Sequence, residues 1–484
     1  MEKFDVIVIG SGIGGLISAG MFASHGLKTL VLEKHIKPGG YLSSFTRKGF
    51  IFDSAVDCVS GVAPGGLIHR VLEMLDVDGD VRFLRIDPIR VSRFPDLEIP
   101  VDANVEAYKE RLISLFPSET SEIRLFFESV VRAYGQLQSA LKSLISGSAN
   151  LSALTPDLLR LIGISYGQML DEYFSDFRLK AVLSDRCPFI GLPPSKVSAV
   201  AMINMIMSYF DLGAYRPEGG FQRLADAFIE GIRRKGGEVI FGNGVKRIIL
   251  NANNICLGVR CDNGEKYMSR HIISNVDFDL TFRRLLGGRF IRLADDMMRD
   301  PGISTSFFII YAGISGESNM HSSLGYFPSF NMEGFFDSDM EISGDSTIGV
   351  TMASIEDKSR APYGCNTLVL HEMIEASGLG LDKAACIDRT IKKAEKIFPE
   401  LKNIIEVLDA ATPSTLQRYT GNCGGSAFGW RQIPGFRGPK RHGIENLHIA
   451  GHWGDFGGGV LAAAYSGAKA AGEVLSKEGI KNVI

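Results

Sequence analysis

Three glycines near the start of the chain, together with one acidic residue, have the spacing of a nucleotide-binding site. Gly10, Gly12 and Gly15 follow a short apolar run in the pattern G-x-G-x-x-G. The first glycine permits a tight turn, the second lets backbone N–H groups approach a pyrophosphate, and the third lets a helix lie close to a strand. Glu33 comes 23 positions after Gly10, near the spacing of about 20 at which a carboxylate accepts hydrogen bonds from a ribose. The sequence therefore predicts binding of an adenine dinucleotide.

The elements that must position these residues are a strand, a helix and a second strand within residues 4–40. Residues 6–9 are a run of β-branched residues, which is too short for a helix and typical of a strand buried on both faces. The helix after the glycine turn would direct its partial positive end at the anion. A second strand, residues 28–32, would then end at Glu33. This order predicts a Rossmann-like unit.

Residues 8–16, V-I-G-S-G-I-G-G-L, and residues 32–40, L-E-K-H-I-K-P-G-G, together resemble a known signature. They are similar to the two-part FAD signature of the phytoene desaturase family. That superfamily also includes prolycopene isomerases, retinol saturases and, more distantly, amine oxidases. The resemblance implies FAD as cofactor, and it implies that FAD is contacted here by Gly10, Ser11, Gly12, Gly14, Gly15, Glu33, Lys34, Gly39, Gly40 and Tyr41. Tyr41 stands where many relatives carry arginine, and Ala55 stands where the family often has glycine.

The resemblance continues at two later places and so covers essentially the whole chain. Residues 451–460, G-H-W-G-D-F-G-G-G-V, are similar to the second FAD motif of the family, with Phe456 in place of the usual proline. A glycine loop that feeds a helix offers N–H donors to an anion. Val245 matches the position whose backbone meets the adenine. The cofactor residues expected in these segments are Val245, Gly451, His452, Asp455, Gly458, Gly459 and Val460.

The chain of 484 residues is long enough for about two domains. Between the nucleotide-binding segments the pattern changes, first to helices in residues 104–174 and later to mixed strands and helices in residues 302–438. We therefore expect an α/β fold of two domains, as in FAD-dependent oxidoreductases. Residues 1–101, 216–300 and 439–484 would form a discontinuous Rossmann-like FAD domain. Residues 102–215 and 301–438 would form an α+β substrate domain with a helical insertion.

Several apolar and aromatic residues outside the motifs are candidates for a substrate pocket. Met205 lies in an apolar, methionine-rich segment, which could line a pocket for a long apolar ligand, dip into a membrane surface, or form an ordinary core helix. Tyr419, Phe428 and Trp430 lie in a segment with the family-like pattern T-P-x-T-x-x-R-Y-T-G-N. These three could stack on a flavin or a polyene, or could be ordinary packing residues.

The composition excludes several classes of function. The net charge is only −3, so no basic excess indicates nucleic acid. No hydrolase motif and no Cys/His cluster with ligand spacing is visible, so we expect no metal site and assign no catalytic side chain. Two charge-free apolar stretches, residues 301–316 and 197–210, are shorter than the ~20 residues of a membrane span. Seven scattered cysteines without a C-x-x-C pair indicate reduced thiols.

The resemblance implies an FAD-dependent oxidoreductase that acts on C–C or C=C bonds of a long apolar polyene or isoprenoid. Hydride transfer at the flavin N5 would give desaturation, saturation or cis–trans isomerisation. The alternatives are a flavin oxidase or dehydrogenase of a smaller or carrier-bound substrate, and a non-catalytic lipid-binding flavoprotein. We expect a cytoplasmic protein in peripheral contact with the inner membrane, with residues 197–210, Arg186 and Lys196 at the lipid surface.

Overall fold

A computed structural model describes residues 3–146, 155–299, 301–316, 318, 320–336, 346–376, 380–436, 438 and 442–480. Its elements form two seven-stranded sheets and two small two-stranded sheets, with helices packed on them, which confirms the predicted α/β fold class. The strands are β1 Lys3–Ile9, β2 Thr29–Leu32, β3 Ser44–Arg47, β4 Phe50–Asp53, β5 Phe83–Arg85, β6 Arg90–Phe94, β7 Leu97–Val101, β8 Tyr215–Pro217, β9 Glu238–Ile240, β10 Val245–Leu250, β11 Cys256–Cys261, β12 Lys266–Ser274, β13 Ser306–Ser315, β14 Ser323–Tyr326, β15 Ile348–Thr351, β16 Cys365–Ile374, β17 Ile405–Ala411 and β18 Leu447–Ile449. The two small sheets are β3-β4 and β5-β8.

The helices of the described residues lie between or after these strands along the chain. They are α1 Ile13–Ser24, α2 Leu67–Met74, α3 Val105–Leu115, α4 Thr120–Ile145, α5 Pro156–Ile162, α6 Tyr166–Tyr173, α7 Phe177–Leu183, α8 Ala199–Leu212, α9 Phe221–Arg234, α10 Ile291–Arg299, α11 Lys383–Ala394, α12 Leu401–Ile404, α13 Pro413–Thr420 and α14 Val460–Lys477. Within the described residues, α3 to α8 follow one another without an intervening strand.

The first sheet has the strand order β10-β11-β12-β1-β2-β9, and β18 also pairs with β12. Strand β1 lies parallel to both β12 and β2, and β2 lies parallel to β9. Val6 and Val8 are fully buried against α1 and α14, while Ile7 and Ile9 are buried on the opposite face of the sheet. Burial on both faces explains why β1 is an uninterrupted apolar run. The sheet is assembled from three separate stretches of the chain.

The second sheet has the strand order β17-β13-β16-β15-β14-β6-β7 and is antiparallel except where β14 pairs with β6. Its residues alternate between the two faces, as in any strand. Phe308 and Ile310 pack into a core on one face, whereas Phe307 and Ile309 border a cavity on the other. Strands β6 and β7 belong to this sheet, although residues 90–101 lie in the first of the predicted FAD-domain segments. The domain boundaries themselves stay a prediction.

Helices α3 to α8 form a layer with its own apolar core, which agrees with the helical pattern of residues 104–174. Within α8, Met202, Ile203 and Met207 are buried, and Met205 is partly buried. Helix α8 therefore keeps its methionines buried or partly buried, and Arg186 is only 4% exposed. The predicted contact with a membrane stays a prediction. Among the described helices, none combines the length and apolarity needed to cross a bilayer.

Candidate active site

The turn between β1 and α1 is closely packed, and its glycines are required by the geometry. Gly10 has φ of +90°, a conformation that side chains other than glycine rarely adopt. A Cβ on Gly15 would lie 2.2 Å from the Gly10 carbonyl oxygen, so the helix can approach the strand only with glycine at this position. Gly12 caps α1 without any side-chain hydrogen bond. The first N–H groups of α1 are therefore free to bind an anion.

Glu33 follows β2 and lies beside this turn, where it is 8% exposed. Its Oε2 accepts hydrogen bonds from Ser11 N at 2.8 Å and from Ser11 Oγ at 2.7 Å. Its Oε1 accepts one from His35 N at 2.8 Å. A carboxylate has about four acceptor positions, so Glu33 can still accept from a ribose hydroxyl. Ser11 is fully buried behind the turn, and its contribution is to orient Glu33.

One cavity of about 1320 Å³ extends from Glu33 across the glycine turn to the second sheet and to α8. Ligand pockets commonly have volumes of about 300–1,000 Å³, so this cavity has room for a dinucleotide together with a second ligand. The predicted site residues that line it are Gly10, Gly12, Gly14, Glu33, Lys34, Gly39, Gly40, Tyr41, Val245, Gly451, His452, Asp455, Gly458, Gly459, Val460, Met205, Tyr419 and Phe428. The structure thus brings together residues from both ends and the middle of the chain.

The C-terminal glycine loop closes against the first one. A Cβ on Gly14 would lie 2.5 Å from Gly451 N, so the two loops touch at their backbones. Gly459 caps α14 without a side-chain hydrogen bond, which leaves a second helix N-terminus with free N–H donors at the cavity. Asp455 is held by Lys469 at 2.7 Å. Two helix termini therefore direct partial positive charge into one cavity.

Tyr41 and His452 face each other in the central part of the cavity, with ring centroids 6.0 Å apart. The Tyr41 hydroxyl donates to the Ser426 carbonyl oxygen at 2.8 Å. Burial raises the pKa of Tyr41 to about 12 and lowers that of His452 to about 4. Both groups are therefore neutral at pH 7, and neither adds charge next to a bound ring system.

Tyr419 lies at the nucleotide end of the cavity and not at the end expected for an apolar ligand. It is 51% exposed, and its ring is 5.7 Å from that of His35, two residues beyond Glu33. In the same helix, α13, the Arg418 carbonyl oxygen is 3.5 Å from Lys34 Nζ. Stacking of Tyr419 on a polyene is therefore not supported by its position.

Trp430 does not line the cavity, which corrects the prediction that it stacks on a flavin or a polyene. It is 1% exposed and packs edge-on against Phe278 and Trp453. Its indole N–H donates to the Trp453 carbonyl oxygen at 2.8 Å. Trp430 therefore stabilises the core beneath the C-terminal loop.

The part of the cavity beyond Tyr41 is mostly apolar. Helix α8 contributes Met205, and β13 contributes Phe307 and Ile309 from the face opposite its core. Other apolar and aromatic residues of the lining include Pro188, Phe189, Ile190, Val200, Ala201, Leu324, Val350, Met373 and Phe428. Such a lining favours a long hydrophobic ligand, because each Å² of apolar surface that leaves water stabilises the complex by ~25 cal/mol.

The sequence analysis missed several residues of the cavity. Asn275 follows β12 at the edge of the first sheet next to the β1 turn, and its Nδ2 is 3.5 Å from the Gly10 carbonyl oxygen. Its position after a parallel strand could have been a signal, because ligands bind at the carboxyl ends of such strands. Asp57, Gln432 and His371 also line the cavity. No local sequence pattern marks these residues, because elements distant in the chain bring each of them to the cavity.

No group of three or more His, Cys, Asp or Glu side chains within the described ranges is arranged to hold a metal ion. All seven cysteines are free thiols.

Residues 8–75 match the NAD(P)-binding Rossmann-like domain family. Over 515 residues the chain is 28% identical to prolycopene isomerase 1, chloroplastic, of an Oncidium hybrid cultivar, with 99% of this chain and 85% of the relative covered. It is 25% identical to human all-trans-retinol 13,14-reductase over 482 residues, with 88% of this chain and 77% of the relative covered.

Solved structures share the fold along nearly the whole chain. An oxidoreductase from Methanosarcina mazei is 18% identical with a TM-score of 0.69, and 99% of this chain and 100% of that one are covered. Cyclohexylamine oxidase from Brevibacterium oxydans is 13% identical with a TM-score of 0.61, and the covered shares are 98% and 99%. The homologues of this chain are prolycopene isomerases and all-trans-retinol 13,14-reductases, and its fold is shared with amine oxidases.

Proposed function

We propose that the protein is an FAD-dependent oxidoreductase that isomerises or saturates a C=C bond of a long apolar polyene. The observation that carries this proposal is the continuity of one cavity, in which the nucleotide turn and Glu33 lie at one end and the apolar wall around Met205 lies at another. The prolycopene isomerase and retinol reductase homologues favour isomerisation or saturation over desaturation. The protein is therefore an enzyme of the oxidoreductase type.

The residues of the cavity fit FAD in three respects. Glu33 retains acceptor capacity for the ribose, and the N-termini of α1 and α14 offer uncapped N–H groups for the pyrophosphate and for a polar edge of the ring. Gln432 is 7% exposed, and its Nε2 donor is buried at the cavity wall without a partner in the described structure. A Cβ on Gly457 would lie 2.6 Å from the Gln432 side chain, so this side chain lies against the C-terminal glycine loop. A polar cofactor group would satisfy the Nε2 donor.

The side chains of this enzyme bind, orient and exclude water, while a bound flavin supplies hydride transfer at its N5. Tyr41 is fixed by its hydrogen bond to Ser426 and is held against His452. Because His452 is neutral and one of its ring nitrogens donates to the Ala427 backbone, it can orient a ligand through its remaining acceptor nitrogen without adding charge. The apolar wall formed by Phe307, Ile309 and Met205 keeps water from the reacting carbons.

The cofactor is tested by reconstitution of the purified protein with FAD, FMN or NAD. We expect stoichiometric FAD, recognised by its absorbance bands, and weak retention of the other two. Glu33→Arg places a cation where the ribose hydroxyls must donate, so we expect its flavin content to fall by at least tenfold. Glu128→Arg makes the same charge change on an exposed face of α4 and should leave the flavin content unchanged. A protein that retains NAD and no flavin would contradict the proposal.

The reaction is tested by anaerobic reduction of the flavoprotein followed by addition of prolycopene or all-trans-retinol. Isomerisation would change the geometry of the polyene without net oxidation of the flavin, whereas saturation would reoxidise one flavin for each double bond lost. If neither polyene changes but a smaller substrate reduces the oxidised flavin, the enzyme is a dehydrogenase or oxidase of that substrate. If the flavin reacts with none of them and the protein still binds lipid, the non-catalytic alternative holds.

The cellular location is a further part of the proposal. An apolar polyene partitions into bilayers, which supports a cytoplasmic enzyme in reversible contact with the inner membrane. This contact would involve surfaces other than α8, since its methionines are buried or line the cavity. Flotation of the holoenzyme with liposomes of graded anionic lipid content tests the contact, and absence of flotation at every composition would contradict it.

A further inference from the structure

A group of polar side chains, which we call the polar corner, lies in the apolar part of the cavity. It consists of Asp57, Ser323, Thr351 and His371, all of which line the cavity. Asp57 comes from the loop after β4, and the other three come from neighbouring strands of the second sheet. Register places Ser323 of β14 opposite Thr351 of β15, and it places His371 of β16 opposite Gly349 of β15.

Most of the hydrogen-bonding capacity of the polar corner is used within the protein. The Asp57 carboxylate accepts from Thr351 Oγ1 at 2.9 Å, from Ser323 Oγ at 2.7 Å and from Arg216 at 2.5 Å. Arg216 is 1% exposed and is also bound to Glu356 at 2.7 Å. The two hydroxyl protons and the carboxylate charge are thus already paired, and they fix the shape of the corner.

His371 is the member of the polar corner whose hydrogen-bonding capacity is not fully used within the described structure. Its Nε2 is buried and has no hydrogen-bond partner in the described structure, although the residue lies in the cavity wall. Burial lowers the pKa of His371 to about 4, despite the nearby Asp57 carboxylate, so the imidazole is neutral at pH 7. A neutral imidazole carries one donor and one acceptor nitrogen. A buried polar atom without a partner is unfavourable, and a hydrocarbon in this cavity would leave it so.

We infer that His371 is a specificity-determining residue that binds an oxygen atom of the substrate, so that the preferred polyene carries a hydroxyl or carbonyl group. This inference rests on the proposed polyene function and adds the substrate class to it. A substrate hydroxyl can donate to or accept from the imidazole, and a carbonyl can accept from it, so either group satisfies the unpaired nitrogen. Gly349, opposite His371, has no side chain, and a Cβ there would already be 3.6 Å from the His371 Cβ. His371 itself lines the cavity, so a ligand there can lie beside it.

The test compares two ligands that differ only in the oxygen: all-trans-retinol and its deoxygenated analogue, in which a methyl group replaces the hydroxymethyl group. Dissociation constants are measured on the FAD-loaded enzyme from the change in flavin absorbance, so that binding is read independently of turnover. We expect the wild type to bind retinol roughly tenfold more tightly than the hydrocarbon, as one hydrogen bond to a neutral partner allows. His371→Phe should remove this preference by weakening retinol alone.

Two further variants separate recognition from structure. His371→Gln retains a donor and an acceptor at the end of the side chain and should restore part of the preference. Met373→Leu changes the same strand at the next position that lines the cavity, adds no polar group, and should retain the oxygen preference. Flavin content shows whether each variant is folded.

The inference is overturned if the folded His371→Phe enzyme keeps the full preference for retinol, or if it weakens both ligands equally. It is also overturned if the wild type converts the hydrocarbon as well as it converts retinol, although the proposed polyene function then stands. If the wild type binds and converts neither polyene, the proposed function fails together with the inference.

Discussion

An alanine at position 14 would separate the two glycine loops that form the cofactor end of the cavity. The added Cβ would lie 2.5 Å from Gly451 N, 2.6 Å from Gly451 Cα and 2.7 Å from Asn275 Oδ1. Ordinary contact begins at 3.4 Å, so the C-terminal loop would have to move by about 0.9 Å, the difference between 3.4 and 2.5 Å. The nearest atoms belong to the backbone and cannot rotate away as a flexible side chain can.

Overpacking of this kind costs about 1–3 kcal/mol, and the cost falls on the loop that precedes α14. We therefore expect Gly14→Ala to lower the urea midpoint of unfolding and to weaken flavin binding by roughly 5- to 150-fold, at 1.4 kcal/mol for each factor of ten. The measurement is the flavin-to-protein ratio after gel filtration, together with the urea midpoint of the apoprotein.

Gly135→Ala is the matched control. Gly135 lies on an exposed face in the interior of α4, and a Cβ there would meet nothing within 4 Å. Because alanine is favoured over glycine in a helix by about 1 kcal/mol, this variant should be slightly more stable and retain its flavin. If Gly14→Ala retains full flavin and wild-type stability, the contact between the two loops does not position the cofactor.

Other variants test the packing of the cavity and of the second sheet. Trp430→Ala should destabilise the fold by about 3–5 kcal/mol, because it leaves a cavity in the core. Met205→Glu should lower polyene turnover and leave the flavin content intact. Loss of flavin from the Met205 variant would show that this residue is structural. Burial alone would raise the pKa of Glu372, but the Lys393 ammonium at 2.6 Å and hydroxyl donors hold it below its usual 4.5. The stability this carboxylate contributes is therefore present above pH 4.5 and is lost as the pH falls through its folded pKa. Lys393→Met removes the nearer charge partner of the buried carboxylate and leaves Arg389 at 3.9 Å, so the variant should lose about 3–5 kcal/mol at pH 7. It should lose less relative to wild type at a pH below the folded pKa of Glu372, where that carboxyl is protonated in both proteins; equal losses in urea unfolding at both pH values would contradict this reasoning.

Much of the cofactor end could be predicted from the sequence, because its features are local. The tight turn at Gly10 and the close approach at Gly15 depend on backbone conformations that only glycine supplies at low cost, and they leave a spacing in the chain that can be read directly. The alternation of Phe307 and Phe308 is likewise a local property of a strand. Glu33 could be identified because one strand separates it from the helix.

The remaining features were decided by the tertiary structure, because burial and pairing depend on what packs against a residue from elsewhere in the chain. Trp430 and the methionines of α8 have the composition of a ligand pocket, yet Trp430 is covered by Phe278 and Trp453, and only part of α8 faces the cavity. The strand at residues 90–94 joins the second sheet through its pairing with β14, more than 200 residues later. His371 lies in an apolar strand with no neighbouring motif, and only the assembled sheet shows that its Nε2 has no partner in the cavity wall. A sequence records which groups a residue carries, but the fold determines which of those groups remain unsatisfied and can bind a ligand.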